Sequence, residues 1–331
     1  MLKYKKINIH EKNFLHLVEQ KVKHNLKSHN YNLPFATKTL YSASKYLCIN
    51  NKAKRERPLL TMLFGDVLNF YSPKLINLAT ACELIHSASL MHDDVIDNAT
   101  TRRGKTSTNI QYSNSTAVLT GNFLWSRAFL ILKNLPEEII YQAVNVISDM
   151  THAAIAEIEI RAKLNVTLNM WKKIAIKKTG VLFSWCGYSV GYLANDLDSA
   201  KKFYKCGCHL GTVFQMANDL RDLNEKYKIK DLYSDLKNKE PSYPIILGLK
   251  NSKLAIEINK LWTNSRPKKI KIAKVANMLI NSGVIENTLK DMLKEIDKAA
   301  KSLGNLIQKK GAQKIINWAH LLYKQVNKNF C

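Results

Sequence analysis

The chain has 331 residues, of which 46% are hydrophobic and 23% charged, with 12 Gly and 7 Pro. That composition excludes disordered, collagen-like and low-complexity classes, and a chain of this length buries a core without disulfide staples. The net charge of +25 does not make a nucleic-acid binder, because eight of the 51 basic residues are arginine and the rest lysine; a functional basic groove carries more arginine with interleaved aromatics.

From the N-terminus, residues 1–14 are basic but lack an apolar run, so neither a secretory signal nor a transit peptide is expected, and the location implied is cytoplasmic. Helical periodicity then recurs along the chain. It predicts helices near 11–27, 36–49, 56–70, 74–97, 115–134, 137–163, 168–194 (broken near Gly180), 198–225, 243–263, 269–282, 286–308 and 311–327. Residues 1–30 form an N-terminal extension and first helix. Pro136 before Glu137 and Glu138 is a helix start, and Pro241 and Pro244 bracket a turn. The basic 226–239 segment, with Asp231 and Asp235, reads as an exposed loop. No alternating stretch requires a sheet, and no linker divides the chain. The fold expected is all-α, a single domain over residues 1–331. Val181 to Ala194, the longest apolar stretch, is too short and interrupted to span a membrane. The six cysteines (48, 82, 186, 206, 208 and 331) contain no CxxC pair and read as reduced thiols. The five tryptophans read as core or interface, and His152 and His209 lack metal-ligand partners at helical spacing.

The chemistry concentrates in Glu83-Leu-Ile-His86-Ser-Ala-Ser-Leu-Met-His92-Asp93-Asp94-Val-Ile-Asp97, at the end of an apolar helix. Asp93 and Asp97 are i and i+4, and Asp94 and Asp97 are i and i+3, so carboxylates stand on neighbouring turns of one face. Anions at a helix C-terminus oppose the dipole. A hard cation such as Mg²⁺, shared with phosphate, relieves the clash. His92 adjoins Asp93 and could tune it. Arg102-Arg103-Gly104-Lys105 follows at once, suggesting an anion held between metal and guanidinium. Two further cationic clusters are Lys52, Lys54, Arg55 and Arg57 before Pro58, and Lys177-Lys178-Thr179. With no Gly-rich phosphate loop, this points to more than one phosphate group. A second acidic helix end carries Phe214-Gln215-Met-Ala-Asn218-Asp219-Leu-Arg221-Asp222, with Asn218 and Asp222 again i and i+4.

Together these motifs resemble the trans-isoprenyl (polyprenyl) diphosphate synthase family, over roughly residues 35–250 and by helix pattern to the end. Asp93-Asp94-Val-Ile-Asp97 with Arg102-Arg103-Gly104 is similar to the family's first aspartate-rich motif. Lys54-Arg-Glu-Arg57-Pro58 is similar to its Gly-Lys-x-x-Arg-Pro, with Ala53 where Gly is usual. His86, Lys178-Thr179 and Phe214-Gln215 follow in the family's order. The resemblance implies an antiparallel helical bundle around a deep central cavity, usually dimeric. It implies that Asp93, Asp94, Asp97, Asn218, Asp219 and Asp222 hold up to three Mg²⁺ ions on the allylic diphosphate. Arg102, Lys178 and Gln215 would also serve that diphosphate. Lys54, Arg57, His86 and Arg103 would hold isopentenyl diphosphate, and Thr179, Phe214 and Gln215 would stabilise an allylic cation. The product would partition to membrane.

The tail should grow along the 74–97 helix away from the aspartates. Ala88 and Ser89, five and four residues before Asp93, are small, and deeper come Ile85, Cys82 and Ala81, none aromatic. A product of twenty carbons or more is therefore expected, of the kind used for quinone side chains. The chain departs from the family pattern at Asn218, where Asp is usual; at Asn122, after Gly121, where Gly-Asp is usual; at Ile160, in place of Gln; and at Lys239-Glu240, in place of Gly-Lys. Two alternatives stay open: a weakly or non-catalytic subunit of a heteromeric synthase, and a class I terpene cyclase.

Overall fold

Four of the helices begin where the sequence supplies a side-chain cap. Ser72, in extended backbone, accepts from the Lys74 N–H with Pro73 at the first helical position. Ser113, Thr167 and Asn251 likewise cap helices with side-chain oxygens. The computed structural model describes residues 9–27, 33–50, 52–224, 231–264, 267–328 and 330. The helices are α1 (Ile9–Asn25), α2 (Pro34–Cys48), α3 (Glu56–Leu68), α4 (Pro73–Ile96), α5 (Thr108–Gln111), α6 (Asn114–Leu132), α7 (Glu137–Glu159), α8 (Leu168–Ala175), α9 (Val181–Leu193), α10 (Leu197–Asp222), α11 (Ser234–Lys237), α12 (Tyr243–Gly248), α13 (Ser252–Thr263), α14 (Lys269–Ile280), α15 (Val284–Ser302) and α16 (Lys310–Asn327). The fold is all-α.

One hairpin interrupts the helices: β1 (Thr101–Arg102) pairs antiparallel with β2 (Lys105–Thr106). The expectation of no sheet misses this two-residue ribbon. Its turn is Arg103-Gly104, both at positive φ (53° and 70°), the backbone a tight hairpin turn needs. The break expected near Gly180 is a π turn over Ile176–Gly180 between α8 and α9. The helix expected over 243–263 splits into α12 and α13, with Asn251 restarting the second. Of the exposed loop expected over 226–239, residues 226–230 lie outside the described residues. The remainder differs from the expectation: residues 231–239 contain α11, and Tyr233, Asp235 and Leu236 are buried.

Contacts divide the chain into two units. The first takes in the described residues up to Val144, with Cys186–Lys201 and Lys309–Ala312. Here α4 packs on α6 and α3, and Leu60, Phe64, Leu78, Leu84, Ile85, Leu124 and Leu132 are fully buried. Each such side chain contributes ~1.5–3 kcal/mol of burial free energy. The free thiols of Cys82 and Cys186 lie 3.1 Å apart in this core. Of the other cysteines, Cys48 and Cys206 are buried and Cys208 half-buried; Cys331 lies outside the described residues.

The second unit comprises Asn145–Trp185, Lys202–Gln308 and the described residues from Gln313 on. Phe183, Trp185, Phe203, Trp262, Met292, Ile296 and Trp318 form its core. Two glycines let the π turn and the start of α9 lie against α10. A Cβ on Gly211 would stand 2.3 Å from the Gly180 Cα, and one on Gly207 2.4 Å from the Ser184 Cα. Glu295, taking His209 Nδ1 and the Lys172 and Lys298 ammonium groups, ties α15 to α8 and α10. Burial disfavours its charge, but these three donors win and hold its carboxyl at about 2. Among the described residues no helix is long and apolar enough to cross a membrane.

Candidate active site

In the first unit, the residues on and around α4 gather arginines about one histidine. Arg55, at φ 51° ahead of α3, turns its buried guanidinium inward. It donates to Glu83 Oε1 at 2.5 Å, to both oxygens of Glu19 at 3.2 and 3.3 Å, and to the Cys48 carbonyl at 2.6 Å. Arg103, on the hairpin turn, donates to the Leu47 carbonyl at 3.1 Å and stands 3.8 Å from the same Glu83 oxygen. Arg57 is buried in the first turn of α3. Burial pushes His86 well below the ordinary imidazole range, and Arg57, Arg103, Arg102 and Arg55 push it the same way. An imidazole held toward its neutral form among four guanidiniums, two of which, Arg55 and Arg103, share Glu83 as a buried counter-ion, is a site for an anion that accepts many hydrogen bonds. Lys54 stands 3.8 Å from Glu56 and keeps a quarter of its side chain exposed.

At the end of α4 the three aspartates part company. Asp93 and Asp97 are half-buried on successive turns. Asp94 has no exposure. Its Oδ1 accepts from Arg102 Nε at 2.7 Å and Nη2 at 2.5 Å, while its Oδ2 is buried with no hydrogen-bond partner. Burial raises the Asp94 carboxyl despite Arg102. Asp94 therefore stands as the anchor of Arg102 rather than with Asp93 and Asp97 as an outward-facing oxygen. His92 packs edge-on to Trp125, and its Nε2 is 3.2 Å from the Val118 carbonyl. A Cβ on Gly121 would collide with that ring at 2.3 Å, which explains the glycine there.

In the second unit, the π turn presents Lys177, Lys178 and Thr179 in succession. Lys177 pairs with Asp149 at 2.5 Å in solvent, and Lys178 donates to Glu157. Thr179 Oγ1 donates to Gln215 Oε1 at 3.0 Å, and Gln215 Nε2 to Asp219 Oδ1 at 2.9 Å. Phe214 packs at a tilt on Phe183. Thr179, Gln215 and Asp219 thus form one chain of hydrogen bonds.

The acidic end of α10 differs from the expectation of a second metal-facing face. Asp219 is buried; its Oδ2 accepts from Trp171 Nε1 at 3.1 Å and from the Tyr243 N–H at 2.9 Å. Asp222 is buried too: the Ser234 N–H and hydroxyl take its Oδ1, and the Asp235 N–H takes its Oδ2 at 3.0 Å. Both carboxylates are occupied by protein donors, so as placed they do not fit metal ligation. Half-buried Asn218 is occupied as well: its Oδ1 accepts from Arg221 at 3.0 Å.

The donor set of the first motif does fit magnesium. That ion takes one or two carboxylates and completes its shell with water and phosphate, and Asp93 and Asp97 are two hard anionic oxygens a turn apart. Among the described residues no three His, Cys, Asp or Glu side chains form a complete cage, so phosphate or water oxygens would complete the shell. Sequence reasoning misses Glu83 as a site residue and places Arg55 only within a cationic cluster. The signal is present: an acid one turn before His86 on an apolar helix, and a third cation between Lys54 and Arg57.

An all-α fold with this arginine–histidine cluster and paired aspartates defines a class of enzymes that handle diphosphates. The chain belongs to the polyprenyl synthetase family, whose model matches residues 37–279, and is a prenyltransferase. It is 26% identical over 295 residues to the octaprenyl diphosphate synthase of Haemophilus influenzae, covering 86% of this chain and 87% of that one. It is 32% identical over 241 residues to the farnesyl diphosphate synthase of Buchnera aphidicola subsp. Schizaphis graminum, covering 68% and 80%. Its fold matches a polyprenyl synthase from Caulobacter crescentus complexed with calcium and isoprenyl diphosphate, with a TM-score of 0.86 and 21% identity over 94% of each chain.

Proposed function

We propose that the protein condenses isopentenyl diphosphate with an allylic diphosphate to give a polyprenyl diphosphate of twenty carbons or more. The observation that carries this reading is the neutral His86 within four arginines, beside the Asp93 and Asp97 step. Both units serve one synthetase domain, and the family match over residues 37–279 takes in parts of each. Arg57, Arg103, His86 and Lys54 clamp the isopentenyl diphosphate and orient its double bond. Asp93 and Asp97 would hold magnesium, up to three ions with the allylic diphosphate. Bound there, magnesium draws charge from the leaving diphosphate. Arg102, held by Asp94, and Lys178 add cationic charge where negative charge develops.

The allylic C–O bond breaks with its electron pair going to diphosphate. The isopentenyl double bond then attacks the allylic carbon, and a proton leaves the adduct for the departed diphosphate. Thr179, Phe214 and Gln215 face the developing cation with an oxygen dipole and a ring face. Relatives with octaprenyl, nonaprenyl and farnesyl names support the chemistry more narrowly than the length. Small Ala88 and Ser89 favour the long product.

The exposed apolar residues Val118, Leu119 and Leu130 on α6, with Tyr141 and Val144 on α7, fit burial against a second copy and support a homodimer as the active form. A second reading, a weakly active subunit of a heteromeric synthase, is favoured by the internal hydrogen bonding of Asp219 and Asp222. Incubation with farnesyl diphosphate, isopentenyl diphosphate and Mg²⁺ separates the two. Elongated product from the pure chain supports the first reading. Product only with a second protein supports the other, and cyclised hydrocarbon without isopentenyl diphosphate overturns both.

A further inference from the structure

Three side chains in the second unit form a cluster that the reaction above leaves unexplained. Lys178, on the π turn, donates to Glu157 of α7. Glu157 is also hydrogen-bonded, side chain to side chain, to Glu240. Glu240 is set in place by its backbone: its N–H donates to the Asp235 carbonyl at 2.8 Å, and the Lys239 carbonyl before it accepts from Ala162 N–H at 2.7 Å. The three side chains line a small cavity together with Ile160, Ile174 and Pro241.

Two carboxylates cannot share a hydrogen bond without a proton between them. Like charges at that distance cannot both ionise at ordinary pH. We infer that Glu157 and Glu240 share one proton and act together as positioning residues for Lys178, so that its hold on diphosphate follows the state of this pair. The inference rests on the assignment of Lys178 to the allylic diphosphate.

The surrounding charges agree on where the proton sits. Glu157 faces Lys178, Arg161 and Glu240. Burial works against its charge, but Lys178 and the hydrogen bonds hold it below the ordinary range. Glu240 faces Glu157, Asp235 and Lys178. Burial lifts it well above the ordinary range, and the charges of Glu157 and Asp235 lift it further. Both directions favour the proton on Glu240 and the charge on Glu157.

With one proton the trio of Lys178, Glu157 and Glu240 is neutral, and Lys178 can exchange Glu157 for a phosphate oxygen. When pH rises through the raised Glu240 value the trio gains a negative charge. That charge tethers the ammonium and repels an incoming anion, so affinity falls with rising pH. The fall begins above the ordinary carboxylate range.

The test measures the dissociation constant of inorganic pyrophosphate by calorimetry on the full chain, at fixed magnesium, across a pH series. Pyrophosphate itself titrates, so the comparison is between proteins. Glu240→Gln keeps an N–H donor toward Glu157 and removes the titration. The wild type should lose about tenfold more affinity toward high pH than Glu240→Gln. Glu157→Gln, which removes one of the charges that lift Glu240, should move the fall in affinity to lower pH. A protonated-carboxyl band in the infrared spectrum of the wild type at neutral pH should lose intensity in Glu240→Gln. Parallel profiles in all three proteins, or an unchanged band, overturn the inference while leaving the prenyltransferase reading intact. Absence of any pyrophosphate or farnesyl diphosphate binding by the wild type overturns that reading, and the inference with it.

Discussion

Arg102 gives both its Nε and its Nη2 hydrogens to a single oxygen of Asp94. This leaves Asp93 and Asp97 as the half-buried members of the motif and divides three adjacent acids into two jobs. Asp93→Ala or Asp97→Ala should lower kcat/KM by on the order of 10²–10³-fold, as removal of a transition-state charge partner does. Asp94→Asn should cost about 10–100-fold, the range for losing an outer support. Magnesium dependence separates them: a steeper requirement for the ion is expected in the Asp93 and Asp97 variants and an unchanged one in Asp94→Asn. Initial rates over a magnesium series provide the check.

His86 is held neutral by burial and by four arginines. Its folded value lies below the unfolded value of about 6.5, so the unfolded chain binds the extra proton first. Stability contributed at this position is complete above about pH 6.5 and declines as pH falls below it. His86→Gln removes that dependence. Melting temperatures between pH 7.5 and 5 should therefore fall less steeply in His86→Gln than in the wild type. Equal slopes would locate the acid sensitivity elsewhere.

Ser89 is half-buried and donates to the His86 carbonyl at 2.9 Å, whereas Ala88 is fully buried. Ser89→Phe should shorten the product by several five-carbon units with little loss of stability. Ala88→Phe should shorten it as well, at a cost of about 1–3 kcal/mol from overpacking. Chromatography of the dephosphorylated products, alongside thermal melts, reads both effects. An unchanged length in both variants would put the floor of the tunnel on other residues.

Gly211 lets α10 touch the π turn at Gly180. Gly211→Ala drives a methyl against backbone that cannot yield, and about 1–3 kcal/mol of stability should be lost. The same displacement should break the Thr179–Gln215 hydrogen bond and lower kcat more than it raises KM. Steady-state kinetics at a temperature well below the melting point will show that split.

Much of the fold is legible along the chain, because helices announce themselves locally. Ser72-Pro73 and Pro136-Glu137 mark starts, and the i, i+4 spacing of Asp93 and Asp97 fixes their shared face. The features that escape depend on distant partners or on unusual backbone. The turn at Arg103-Gly104 puts an arginine at positive φ, for which its residue type gives no warning. Asp222 spends its oxygens on Ser234 and Asp235, and Asp219 on Trp171 and Tyr243. The i, i+4 spacing within α10 cannot distinguish an acid aimed at a ligand from one that staples the next loop. The same limit hides Glu83, whose value as a counter-ion appears only once Arg55 and Arg103 arrive from elsewhere in the chain.

The π turn at Ile176–Gly180 adds a length constraint that no single substitution reveals. It holds one residue more than an α turn would, so deleting a residue there should restore regular winding with α9 turned little, and should change which side chains of the turn meet Glu157 and Gln215. Lys178 and Thr179 would then lose the wide turn that aims them at Glu157 and Gln215, while Phe183 and Trp185 kept their face. In this stretch the count of residues is as strictly specified as their identity.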